Sequence, residues 1–272
     1  MSQSTIEGKI PIPLRRESSL FLYAIIYRSI GLVVSAETAT LRYEGERTME
    51  KTHQDVVDRL VNEKGLSALD GLMDLITTSE DPEVLSIAHE ALVRLGSAAK
   101  PRLLAFLEKE TCQSASLPGL LTLIETIGDI GTKGDIPALY AHLKLFEHEA
   151  DQLYVYEAIA KLGGGKELLS LLELLLFEDE ERDLMRDHII MILSQIQDRQ
   201  ALDLLVRAHT LNVTDEEQQE LILLSVTNLL SHSPAWIEDL KASAEGRKIV
   251  EKLSEKMKGQ TGESAVEQKD LK

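Results

Sequence analysis

A few short stretches hold residue types that could do chemistry. His89-Glu90 and His148-Glu149 each set an imidazole beside a carboxylate, a donor pair suited to non-haem iron. Cys112 lies in Glu110-Thr-Cys-Gln-Ser114, a connection with no nearby histidine to draw off its proton. Gly163-Gly164-Gly165-Lys166 has the look of a phosphate cradle, but a phosphate loop needs G-x-x-x-x-G-K-[ST] after a strand. Here the glycines follow a helical pattern and Glu167 stands in the hydroxyl position, so a helix-ending turn is expected. The acidic run 178–183 (EDEERD) suits a helix N-terminus and lacks the spaced carboxylates and turn glycine of a calcium loop. Lys248, Lys252 and Lys256 alternate with Glu251 and Glu255, as on an ordinary charged helix face. These residues assemble no catalytic group, and no metal or cofactor is expected from them.

Composition narrows the alternatives. The chain has 272 residues, 43% apolar and only 4% aromatic, so its core must be aliphatic. A formal charge of −17 opposes non-specific attraction to nucleic acid or to anionic membranes. One cysteine excludes an intrachain disulfide and a cysteine zinc cluster, and fits a reducing, cytoplasmic setting.

The elements that would position any site are helices. In Asp81 to Leu107, Asp81 caps a helix and Pro82 is its first residue. Val84, Ile87, Ala88, Ala91, Leu92 and Leu95 then recur at helical spacing, Gly96 ends the helix, and a second buries Leu103, Leu104 and Leu107. The pattern repeats: helices are expected near 50–63 and 66–78, 115–129 and 135–147, 151–161 and 166–177, 181–195 and 199–210. Thr214 to Glu217 forms a capping box for a helix to Leu230, and Asp135 is the expected cap of the helix holding Pro137. Ser233-Pro234 and a helix near 246–257 follow, then a polar tail over 259–272. The first helices end at Leu95, Ile127, Leu162, Leu193 and Leu230, at separations of 32, 35, 31 and 37 residues. Periods of that size mean stacked helical hairpins, each too small to bury its own face.

Asp81-Pro82-Glu83-Val84 with Ala88, Ala91-Leu92 and Leu95-Gly96 resembles a HEAT-type repeat of the phycobilisome-lyase-like class. So does Ile127-Gly128-Asp129-Ile130-Gly131 leading to Ile136-Pro137-Ala138-Leu139, with weaker copies at Ala158, Leu162-Gly163 and Ile196-Gln197-Asp198. The resemblance spans about 66–240 and departs from the usual arginine at Leu85. It implies an all-α, right-handed superhelix of about five hairpins over 49–258. Members act as protein-binding scaffolds, as bilin lyases or chaperones that handle a tetrapyrrole and its carrier, or as parts of enzymes. Deoxyhypusine hydroxylase, a HEAT-like enzyme, binds two irons through repeated His-Glu pairs. At the positions matching His89-Glu90, the later repeats here carry Leu121-Thr122, Tyr156-Glu157 and Asp187-His188, and four convergent pairs cannot be assembled. The expected function is a non-catalytic scaffold for a protein or peptide, with bilin handling as the alternative.

The binding face is expected on the second helices. These align by the pairs Leu72-Met73, Leu103-Leu104, Leu139-Tyr140, Leu171-Leu172 and Leu204-Leu205. Two residues on lie Leu75, Phe106, His142, Leu174 and Arg207; five residues on lie Lys109, Leu145, Phe177 and Thr210. The two positions share one edge of each helix. Phe106, Leu145, Leu174 and Phe177, with Lys109, His142 and Arg207 among them, form the expected partner-binding rows, suited to an apolar, acidic segment.

Residues 1–48 do not follow the helical pattern. Leu20 to Ala36 is apolar but interrupted by Arg28, which would cost about 2.5–3.5 kcal/mol at the centre of a membrane span. A buried element is expected there rather than an anchor. Glu44-Gly45-Glu46 before Met49 can be encoded by GAAGGAGAG, a ribosome-binding sequence. Translation from Met49 is therefore an expectation that the DNA sequence decides.

Overall fold

The structure is a computed structural model that describes residues 53–109, 115–177, 183–211 and 216–267, with backbone alone for 183–184 and 256–267. By contacts the chain divides into Met1–Thr52 and His53–Lys272, and the description concerns the second unit. Every regular element in the described residues is helical. An opening helical segment, 53–59, winds into a wider turn at Leu60–Lys64. There follow α1 (Leu69–Thr78), α2 (Pro82–Leu95), α3 (Lys100–Leu107), α4 (Leu117–Ile130), α5 (Ile136–His142) and α6 (Glu149–Lys161). Then come α7 (Leu169–Phe177), α8 (Asp183–Gln195), α9 (Arg199–Thr210), α10 (Glu216–His232), α11 (Trp236–Ala242) and α12 (Ala244–Glu267).

Neighbouring helices pack in series. The even-numbered helices lie side by side, α2 on α4, α4 on α6, α6 on α8 and α8 on α10. The odd-numbered helices pack against the even helix that follows, as α3 does on α4 and α9 on α10. Local chemistry sets the ends. The Asp81 carboxylate accepts from the Glu83 amide at 2.9 Å, and the Ser116 hydroxyl accepts from Gly119 at 3.2 Å. Gly163 and Gly165 hold φ of 81° and 92°, left-handed values that turn the chain after α6, as the helix-ending reading of the glycine run expects.

Three details depart from the sequence reading. Asp135 does not cap α5: its carboxylate turns back to accept from the amide (2.7 Å) and hydroxyl (2.9 Å) of Thr132 and from Lys100 (3.0 Å), closing the short turn Lys133–Asp135. Leu85 is buried, so the apolar face of α2 runs through Leu85, Ala88 and Leu92, with Val84 and Ile87 at its edge. α12 continues through 259–267, where the polar tail was expected to begin. Cys112, Thr214 and residues 178–182, like the whole of 1–48, lie outside the described residues. In the described part no helix is long and apolar enough to cross a membrane.

The core is aliphatic and continuous from Val57 to Ile249. Leu92, Leu139 and Leu172 are fully buried between neighbouring helices, while Leu104 is half-buried. At Gly128 helices α4 and α6 come close enough that a Cβ would lie 2.8 Å from Ala158 Cα. Gly71, on α1, has open space around it. Two substitutions of the same kind should therefore differ in sign. Gly71→Ala should stabilise by about 0.5–1 kcal/mol through helix propensity. Gly128→Ala gains the same propensity but must push backbone apart, about 1–3 kcal/mol of overpacking, and should be net destabilising. Urea denaturation of the two variants measures the contrast.

Candidate functional site

The apolar stack of even-numbered helices is crossed by polar rungs. From 53–59 to α2, His53 Nε2 meets Glu90 Oε2 at 3.1 Å and Arg94 pairs with Asp58 at 2.6 Å. From α2 to α4, His89 Nδ1 lies 2.9 Å from Thr126 Oγ1 and Nε2 lies 3.3 Å from Asp129 Oδ2. From α4 to α6, Lys161 Nζ is 3.0 Å from Asp129 Oδ1, and it also pairs with Glu157 at 3.2 Å. From α6 to α8, His188 Nε2 donates to Glu157 Oε2 at 2.8 Å, with the edge of its ring against Tyr154. From α8 to α10, Asn228 Nδ2 donates to the Ser194 carbonyl at 3.0 Å.

The central rungs are sheltered, with the Glu157 side chain 8% and that of His89 14% exposed. Burial alone would raise the Glu157 carboxyl, but the Lys161 ammonium and the bond from His188 hold it well below the usual carboxylate range. Burial alone would lower Lys161; the charges of Glu157 and Asp129 raise it well above the ordinary lysine range. Burial would likewise lower His89, yet Asp129, with the charge of Glu125, leaves it raised. Asp129, which burial would raise, is lowered by His89 and Lys161.

The Thr126 hydroxyl donates to the Thr122 carbonyl at 2.7 Å, so its proton is committed along its own helix. His89 Nδ1 must then be the donor toward Thr126, and Nε2 is the nitrogen that faces Asp129. Glu125 precedes Asp129 by one turn on that helix. His89, Glu125 and Asp129 thus offer one nitrogen and two carboxylates whose ligand atoms lie within 4.8 Å of one another.

The His89-Glu90 pair does not act as a unit. Glu90 points back toward 53–59 and His89 forward to α4, while His148 sits in the connection before α6. The sequence reading missed Thr126, Asp129, Glu157 and Lys161 as members of a network. For the three ionisable residues the signal was charge inside apolar helices; Glu157 and His188 face each other directly from α6 and α8.

The expected binding rows are distributed along the odd-numbered helices. Leu174 on α7 is 42% exposed. Phe177, one turn on, packs half-buried on the core and carries the Arg207 guanidinium of α9 at 4.2 Å from its ring centre. Arg207 also pairs with Glu173, so its charge is already answered within the chain. Phe106 and Leu145 are half-buried against the core, and Lys109 is exposed. His142 is lowered by burial and then by Lys144. The structure brings Phe177 and Arg207 into contact, and the row is more apolar than cationic.

Comparison with family models, with curated proteins and with solved structures finds no match.

Two outcomes follow from the rungs. Lys161→Met leaves Asp129 and Glu157 without their shared cation and should cost about 3–5 kcal/mol in a denaturant titration. Glu157 is held below its unfolded value, so its stabilising contribution is complete above the unfolded pKa of about 4.3 and is lost as pH falls through and below it. Urea midpoints measured from pH 7 to pH 3 should drop, and Glu157→Gln should flatten that part of the slope.

Proposed function

We propose that this protein is a non-catalytic scaffold of HEAT-like hairpins, stacked as a right-handed superhelix, that binds a protein or peptide segment along the edge of its second helices. The observation that carries this reading is the exposed Leu174 beside Phe177, whose ring is capped by Arg207. An exposed leucine next to an aromatic under a guanidinium offers an apolar anchor with a polar margin, the composition of binding hot spots. Phe106 and Leu145 extend the same helix edge toward the start of the chain. Because Glu173 answers Arg207 and His142 is lowered, the favoured partner is chiefly apolar, with an acidic group reaching Lys109.

The serial packing of neighbouring helices supports the superhelix, since hairpins that each rest on the next leave an extended edge for a ligand segment. Leu174→Glu replaces an exposed side chain and should leave helicity and melting unchanged. With a photo-crosslinking residue at exposed Ser170, one turn before Leu174, the otherwise unchanged protein should capture a discrete partner in its native source, and adding Leu174→Glu should lose that capture. Equal capture by both proteins would place binding elsewhere.

A further inference from the structure

We propose that His89, Glu125 and Asp129 bind one divalent transition-metal ion of the zinc class, held between α2 and α4. Because the proton of a neutral His89 stays on Nδ1, donated in a hydrogen bond to Thr126, Nε2 turns a lone pair toward two carboxylates. A lone pair facing negative oxygens is repulsive unless a positive centre stands between them. Only a proton or a metal ion can supply it.

The spacing favours the ion. A charge-assisted N–H···O bond shortens to about 2.7–2.9 Å, whereas Nε2 and Asp129 Oδ2 are 3.3 Å apart. Donors around a tetrahedral centre with bonds of about 2.0–2.1 Å lie about 3.3 Å from one another. The surroundings are arranged as around a ligated histidine. Thr126 orients the imidazole from its far nitrogen, and Lys161 holds Oδ1 of Asp129 and leaves Oδ2 toward the site. The Lys161 ammonium near Glu125 and Asp129 is shared with Glu157, so the two carboxylates of the site are short of positive charge, which a divalent ion supplies. A nitrogen donor with two oxygens suits zinc, cobalt or manganese better than magnesium or calcium, which prefer oxygen alone. Three protein donors leave a fourth position for water.

The test uses the full chain, stripped with EDTA and dialysed at pH 8. Titration with Co²⁺ should develop the visible absorption of a low-coordinate centre at one equivalent, and one equivalent of Zn²⁺ should displace it. Glu125→Gln and Asp129→Asn, each checked for wild-type helicity, should weaken Zn²⁺ binding by about 100-fold. No visible absorption in the wild type would overturn the proposal and leave His89 as an imidazolium. Co²⁺ uptake by Glu125→Gln equal to that of the wild type would overturn it too, by placing the ion at other residues.

Discussion

The helices of the described chain are apolar on one face and find cover for it only on their neighbours, and this constraint governs the rest of the packing. Each even-numbered helix finds its missing core in the next one. Fully buried residues accordingly lie on every one of these helices: Leu92, Ile124, Ile159, Ile190 and Val226, one each on α2, α4, α6, α8 and α10. Stability in such a stack resides in the seams. Gly128 shows how close the seam between α4 and α6 runs, since even one methyl group has no room there.

What was legible in the residues follows from what is local. Asp81, Pro82 and Gly96 mark the ends of α2 because a cap is a contact between near neighbours, and the glycines after α6 end it for the same reason. Leu92, Leu139 and Leu172 were identifiable as core because helical period alone puts them on one face. The readings that failed depended on partners far along the chain. Asp135 has the composition of a cap, but Lys100, 35 residues earlier, and Thr132 draw its carboxylate the other way. His89 was weighed with Glu90 because they are adjacent, whereas helix geometry turns adjacent side chains about 100° apart and sends them to different neighbours. Phe106 and Phe177, by contrast, sit half-buried at the margin of the apolar stripe, as their spacing from the core pairs implies, because a large ring there covers whatever apolar surface lies beside it.

The electrostatics of the chain are divided in a corresponding way. With a formal charge of −17, most carboxylates can only stay apart in solvent, where screening makes their repulsion modest. Where the even-numbered helices meet, three carboxylates find partners across or along the seams: Glu90 has His53 and Arg94, Asp129 has His89 and Lys161, and Glu157 has Lys161 and His188. Lys161 is the most connected of these, tying α4 to α6 directly and α8 to both through Glu157.

Such rungs add little net stability over apolar contacts of the same volume, because desolvation of the charges offsets most of their attraction. Their effect is on register. Away from the close approach of Gly128 to Ala158, the faces of α4 and α6 are built of leucine, isoleucine and alanine at helical spacing, so there a slip of one turn exchanges one aliphatic contact for another. The same slip moves Lys161 about 5.4 Å along its neighbour. Asp129 then loses the Lys161 ammonium, which stays with Glu157 on its own helix, and its carboxylate is left in the seam without that cation. That penalty falls on the slipped arrangement alone. A stack of interchangeable aliphatic faces thus acquires one preferred alignment, and the odd-numbered helices, each resting on the even helix that follows, inherit it. Any row formed by Phe106, Leu145, Leu174 and Phe177 can keep a constant spacing only because the charges on the other helices hold the register.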